Sequence, residues 1–189
     1  MEKITQISGK VIPLAMDNVD TDLIIPAQFL TGVTREGYGK NLFIRLRQSD
    51  PDFAFNQPQF AGASILVTKD NFGCGSSREH AVWALQEAGI RAVIAESFAD
   101  IFRGNSAKNG LILLTQPKDV IAKMLQEAQQ GNYELTIDIQ PQKIRSNQDE
   151  EFAFDMDPFS KYCFMNGLDD LNYLLQHREE IDRYFKKGD

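Results

Sequence analysis

The sequence predicts an α/β fold built on parallel strands. Short apolar runs of strand length stand at residues 63–67, 91–95 and 111–114, with helical stretches between them at 77–88 and 98–103. Runs of this kind are apolar on both sides, as strands covered on both faces must be. Strands alternating with helices at this spacing pair in parallel through helical crossovers.

The other elements follow in chain order. Residues 4–8 and 10–14 alternate apolar and polar, rich in branched side chains, and read as two extended pieces separated by Gly9. The acidic run Asp17-Asn18-Val19-Asp20-Thr21-Asp22 reads as a turn. Pro26 opens a short helical segment to Leu30, and residues 31–41, with three glycines and no periodicity, read as a mobile loop of the kind that touches ligands. A helix remnant at 42–47 and an irregular connector at 50–58 precede the strand at 63–67. The segment 70–76 is a turn into the helix at 77–88, which Gly89 stops. After the short helix at 98–103, residues 104–110 read as a loop. Asp119 caps a helix that runs to about Gln130. Tyr133, Leu135, Ile137 and Ile139 alternate as a half-exposed strand, paired with 152–154 across a turn near Ser146-Asn147. The tail, 158–187, is helical and broken at Asn166-Gly167. With no linker, repeat or low-complexity run, the simplest parse is one domain over 1–189 with a helical tail from about residue 158.

Composition narrows the function. The 189 residues are 42% hydrophobic and 25% charged, which excludes disordered, collagenous and coiled-coil chains and gives a core large enough to fold without staples. A net charge of −7 repels a phosphate backbone, so nucleic acid is not an expected partner. No apolar stretch approaches the roughly 20 residues of a membrane span, and the N-terminus shows no secretory pattern; a cytoplasmic location is expected. The two cysteines, Cys74 and Cys163, and the two histidines, His80 and His177, are too scattered to build the three or four ligands of a zinc or iron–sulfur site within this chain.

The strongest chemical signal is Asn71-Phe72-Gly73-Cys74-Gly75-Ser76-Ser77-Arg78-Glu79-His80, between a buried strand and a helix. Two glycines let backbone approach a ligand closely, and amides at a helix start favour an anion. Arg78 in that first turn opposes the helix dipole, which a bound carboxylate gripped by the guanidinium fork would explain. Ser76 and Glu79 also match the Ser-x-x-Glu capping box, a purely structural role that can coexist with chemistry on the adjacent serine. Neither the dinucleotide fingerprint nor a P-loop is completed. Cys74 reads as a packing residue before an activated thiol, His80 as a local packing residue, and His177 as solvent-facing. Asp17, Asp20 and Asp22 have the composition of a cation loop but not the calcium-loop spacing, so turn capping is the expectation.

Taken in order, Asp17-Asn18-Val19-Asp20-Thr21-Asp22-Leu23-Ile24-Ile25-Pro26, the Asn71 to His80 run and Ser97-Phe98-Ala99-Asp100-Ile101-Phe102 resemble the mobile C-terminal domain of the aconitase superfamily. The chain is similar to the separately encoded form of that domain, the small-subunit family of 3-isopropylmalate dehydratases, over nearly its whole length. The loop Val33-Thr34-Arg35-Glu36-Gly37-Tyr38-Gly39-Lys40-Asn41-Leu42-Phe43 resembles the bacterial leucine type. The resemblance implies a three-layer β/β/α swivelling domain of aconitase type with a helical C-terminal tail. It implies a hydro-lyase, active only with a large subunit, that isomerises 2- and 3-isopropylmalate through isopropylmaleate in leucine biosynthesis. It further implies a 4Fe-4S cluster held by that large subunit. By motif, Ser76 corresponds to the alkoxide base, Arg78 to the carboxylate-binding arginine and Asp22 to an active-site aspartate. Gly75 and Ser77 fall in the substrate-binding turn, and Thr34 and Arg35 fall where family members read the substrate's variable group. The alternatives are a related dehydratase of homoaconitase or methylmalate/citraconate type, and a non-catalytic anion-binding module.

Overall fold

The computed structural model describes residues 1–30, 36–178 and 183–184. In chain order its elements are β1 (Gln6–Leu14), α1 (Thr21–Ile24), α2 (Ile44–Ser49), β2 (Ile65–Thr68), α3 (Glu79–Glu87), β3 (Ala92–Ala95) and α4 (Asp100–Asn109). These are followed by β4 (Ile112–Thr115), α5 (Lys118–Ala128), β5 (Glu134–Asp138), β6 (Lys143–Ser146), β7 (Glu151–Ala153), α6 (Pro158–Asn166) and α7 (Asp170–Gln176). The strands form one seven-stranded sheet in the order β4-β3-β2-β1-β5-β6-β7. From β4 to β1 the neighbours are parallel, and from β1 to β7 they are antiparallel. The expected α/β class and parallel core are therefore what the chain forms.

Alternation along the parallel strands divides the apolar side chains between two cores. Ile12, Leu14, Leu66, Val93 and Ala95 face one, closed by Ala81 and Leu85 of α3 and Phe102 of α4. Val11, Ile65, Val67, Ile94 and Leu114 face the other, closed by Ile121 and Met124 of α5, by Ile137 and Ile144 of the antiparallel strands and by Phe164 of α6. Burial on both faces is why these strands read as unbroken apolar runs.

β1 does not break at Gly9. A side-chain carbon there would lie 2.0 Å from Ser64 Oγ, so the glycine answers a close approach and not a turn. What changes near this point is the partner: Gln6–Lys10 pair with β5, and Val11–Leu14 pair with β2.

Several other expectations are corrected. α4 continues through Gly104, read above as the start of a loop; a Cβ at Gly104 would meet nothing, and the helix stops only at Gly110, in the left-handed region at φ 80°. Pro117, not Asp119, takes the cap position of α5, with Asp119 in its first turn. The strand at 151–153 pairs with β6 and not with β5, because β6 lies between them in register Ile137–Ile144–Phe152. The Pro26 segment is a 3-10 turn, Ala27–Phe29, and the connector after α2 holds two more, Ala54–Asn56 and Pro58–Phe60. His177 is half-buried, its ring 4.3 Å from that of Tyr173, and not solvent-facing. The tail is helical as α6 and α7, broken by Gly167 at φ 71°; its later part lies mostly outside the described residues. No described helix is long and apolar enough to cross a membrane.

Candidate active site

The loops after β1, β2 and β3 leave the same edge of the sheet, the carboxyl end of parallel strands where α/β folds place their ligands. Backbone bonds tie these loops together. Gly73 N donates to Val19 O at 2.8 Å, Thr21 N to Cys74 O at 2.9 Å, Phe72 N to Ser97 O at 3.1 Å and Ala99 N to Phe72 O at 3.1 Å. Side chains add to this: Asn71 Nδ2 donates to Asn18 Oδ1 at 2.8 Å, and Ser97 Oγ, which donates to Asp70 Oδ1 at 2.5 Å, accepts from Asn71 N at 2.9 Å. The three motifs far apart in sequence are thus one structural unit.

Its centre is the turn at residues 73–78. Gly73 is buried at φ 79°, and a Cβ there would sit 2.2 Å from Phe102 Cγ. Phe102 in turn lies edge-on to Phe72, centroids 5.4 Å apart, so the third motif forms the floor on which the turn rests. Gly75, at φ 90°, is needed for its backbone conformation, since its nearest neighbour would be 3.5 Å away. The buried Thr21 donates from Oγ1 to Ser76 O at 3.1 Å, which fixes the backbone at Ser76. Gly75, Ser76 and Ser77 are exposed, and the Ser76 hydroxyl has no hydrogen-bond partner among the described residues.

The capping box does not form. α3 begins at Glu79, Arg78 occupies the cap position without a side-chain cap bond, and the Glu79 carboxylate accepts from Asn109 Nδ2 at 2.7 Å. Ser76 therefore stands ahead of the helix and not in its first turn. The electrostatic oddity of Arg78 is also resolved within the chain: its guanidinium donates to the Asp22 carboxylate in an ion pair between the first and second motifs. A ligand carboxylate is not required to explain it, although four of the five N–H donors of the fork remain for other acceptors. The Arg78 bond is the main reason the Asp22 carboxyl lies below its ordinary range; partial burial opposes this and the Arg45 charge assists.

The remaining candidates separate. Burial, aided by the Asp20 charge, pushes the Cys74 thiol up, which argues against an activated nucleophile. His80 packs edge-on between Tyr38 and Trp83, with centroids 5.2 and 4.7 Å away. Asp20 caps α1 by accepting from Leu23 N at 2.6 Å, and Asp17 pairs with Lys69, so the acidic run serves three separate partners and encloses no cation site. Thr34 and Arg35 lie outside the described residues. Residues 37–39, within the stretch 31–41 expected to be a mobile loop, are held against α3 by Glu87, which no motif of the sequence marks.

The chain's donors do not fit an iron–sulfur cluster. Cys74 lies in the turn, Cys163 is buried on α6, and no group of three or more His, Cys, Asp or Glu among the described residues could hold a metal ion.

The model of the aconitase C-terminal domain matches residues 1–119, and the chain belongs to that family. Within it, the chain is 47% identical to the 3-isopropylmalate dehydratase small subunit of Francisella tularensis subsp. novicida over 184 residues, 97% of each chain. It is also 47% identical to that of Parvibaculum lavamentivorans over 193 residues, 99% of this chain and 96% of the relative. The solved 3-isopropylmalate dehydratase structure (LeuD) from Methanocaldococcus jannaschii superposes with a TM-score of 0.71 at 28% identity, covering 95% of this chain and 99% of that one.

Proposed function

We propose that this chain is the substrate-recognising small subunit of a 3-isopropylmalate dehydratase, working in the cytoplasm with a large subunit that holds the 4Fe-4S cluster. The reaction removes water from one isopropylmalate isomer and returns it with the hydroxyl on the neighbouring carbon, by way of isopropylmaleate. The full-length identity to small subunits carries this reading. Two free thiols fit a reducing compartment, and two cysteines on separate elements, with no metal-holding cluster among the described residues, fit a division of labour with a second polypeptide.

Removing a proton from the carbon beside a carboxylate requires a base held against positive charge in a site closed to water. In this reading Ser76 Oγ takes that proton and returns one in the hydration half of the cycle. Arg78 binds the adjacent substrate carboxylate through the N–H groups that Asp22 leaves open, and its charge favours the ionised serine. Asp22 aims the guanidinium. Gly75 and Ser77 offer backbone and hydroxyl donors to the substrate's carboxylates, and Thr34 and Arg35 read the alkyl group. A Lewis acid for the departing hydroxide would come from the partner chain.

The test is reconstitution with the large subunit. The chain alone should be inactive, the complex should isomerise isopropylmalate, and S76A should cut kcat by about 10³-fold or more, comparable to the loss of a principal transition-state contact. Turnover by the isolated chain, or an undiminished rate with Ser76 and Arg78 both replaced by alanine, would refute the reading. Preference for homocitrate or citraconate would move the assignment to a neighbouring dehydratase, and ligand affinity without any turnover would leave only an anion-binding module.

A further inference from the structure

Arg78 and Glu79 are neighbours in the chain, yet their charged ends leave for different elements. The guanidinium donates to Asp22 of α1. The Glu79 carboxylate accepts from Nδ2 of Asn109, the last residue of α4, at 2.7 Å. Asn109 is more than nine-tenths buried, and its side chain makes three of the four bonds open to an amide. Besides holding Glu79, Nδ2 donates to Asn105 O at 2.9 Å, and Oδ1 accepts from Trp83 Nε1 at 3.0 Å. Its backbone carbonyl accepts from Gln86 Nε2 at 2.7 Å. Glu79, Trp83 and Gln86 follow one another at intervals of four and three residues, so they lie on one face of α3. The finish of α4 is thus bonded along that face, and the Glu79 carboxylate meets an amide whose other end is on Trp83, one turn further into the helix.

The donors and acceptors dictate which residue can stand at 109. An indole N–H only donates and an ionised carboxylate only accepts, so the group between them must present an oxygen to one and an N–H to the other. An amide does both. Aspartate would set a second carboxylate against Glu79, and an aliphatic side chain would leave both neighbours without this partner.

The Glu79 charge matters because of what lies beside it. The turn at Gly75, Ser76 and Ser77 is exposed, and a dianionic substrate has to reach the N–H groups of Arg78 that Asp22 leaves open. A loose carboxylate on the very next residue would pair with the guanidinium or repel the substrate from it. We propose that Asn109 is a positioning residue for substrate binding: by bonding Glu79 to the end of α4 it withholds that carboxylate from Arg78. Asp22 is then the sole aiming partner, and the substrate carboxylate meets no rival from α3. This deepens the function proposed above and rests on it.

The experiment uses the reconstituted two-subunit complex with E79D, E79Q, N109D and N109D/E79Q. E79D keeps the charge and shortens the reach to Asn109; E79Q keeps the reach and an accepting oxygen without the charge. N109D sets like charges face to face with little change of volume, and the double variant restores the bond with donor and acceptor exchanged. Expected for E79D and N109D is a KM for isopropylmalate raised by about fivefold, the scale of one added like charge near a partly screened site, with kcat changed less than about twofold. E79Q and N109D/E79Q should keep a KM within about twofold of wild type. In about 1 M salt, where screening acts beyond about 3 Å, the E79D and N109D defects should largely vanish. Circular dichroism melts of the full chain show which variants fold; should N109D not fold, the contrast of E79D with E79Q decides alone. A wild-type complex that turns over isopropylmalate, with E79D at the KM of E79Q, overturns this inference and spares the function. A KM defect in N109D that E79Q does not relieve, or that survives high salt, is the mark of a packing role and overturns it too. A wild-type complex without turnover overturns the function and this inference with it.

Discussion

Replacing Gly73 by alanine strikes the point where all three motifs meet, and its cost can be worked from two features of the site. The residue sits at φ 79°, where an L side chain is disfavoured by roughly 1–2 kcal/mol. Its new Cβ would also fall 2.2–2.6 Å from Phe102 Cγ, Cβ and Cδ1, and overpacking of a buried position costs roughly 1–3 kcal/mol. The sum, roughly 2–5 kcal/mol, corresponds to a fall in melting temperature of about 4–20 °C for a chain of this length. Circular dichroism melts and urea titrations of the purified chain would measure it. A double-mutant cycle tests the mechanism: F102A alone should cost about 3–5 kcal/mol by leaving a cavity. G73A/F102A should then be more stable than the sum of the single changes by at least about 1 kcal/mol, because the contacts to Cγ and Cδ1 are removed and only the one to Cβ at 2.6 Å remains. A G73A melt within about 2 °C of wild type, or strict additivity in the cycle, would show that the turn does not rest on Phe102 as described.

Other expectations can be checked on the same material. Ser64 Oγ is buried without a partner, so S64A should be neutral or slightly stabilising, and a loss above about 1 kcal/mol in urea titration would contradict this. Asp157 caps α6 by accepting from Ser160 N at 2.8 Å, and that bond is the main cause of its lowered carboxyl pKa; D157A should cost about 1 kcal/mol at neutral pH. A depressed folded-state pKa gives stability that is present above the unfolded value of 3.8 and lost as pH falls through the folded one, so wild type and D157A should begin to converge in melts as pH falls below about 4. At the alkaline end, burial and then the charge of Glu150 push the Tyr133 phenol well above its ordinary range, with its O–H donating to Glu150 Oε2 at 3.1 Å. Its contribution is complete below about pH 10 and declines as pH rises further. Y133F should remove that alkaline slope from the pH dependence of unfolding.

β2, β3 and β4 were legible because burial on both faces leaves them almost wholly apolar, with polar residues only at the ends, Thr68 and Thr115. β6 was not: of Lys143-Ile144-Arg145-Ser146 only Ile144 is buried and apolar, too little for a pattern, and overlooking it misassigned the partner of β7. The length of α4 was hidden by Gly104, whose intrinsic cost of about 1 kcal/mol is outweighed by the burial of Phe102 on the same helix. In the candidate site, the glycine turn and its serines stood out as a motif. The Asp22–Arg78 pair did not, because residues 56 positions apart carry no local sign of meeting, and the arginine was credited to an absent ligand. Glu87 was the least visible, since its partners are backbone amides that any residue type supplies; only Gly37 and Gly39 mark the place.

β1 gives its first five residues to β5 and its last four to β2, so the two halves of the sheet are joined end to end along one strand. Peeling away the meander of β5, β6 and β7 would cost the ladder bonds of Gln6–Lys10 and spare those of Val11–Leu14, the stretch that delivers the chain to the acidic turn. Lengthened hairpins or altered registers in the meander can therefore accumulate over evolutionary time without retuning the reactive loops. The polypeptide is divided into a province free to drift and a province that chemistry holds still, and the border runs across the middle of a single strand.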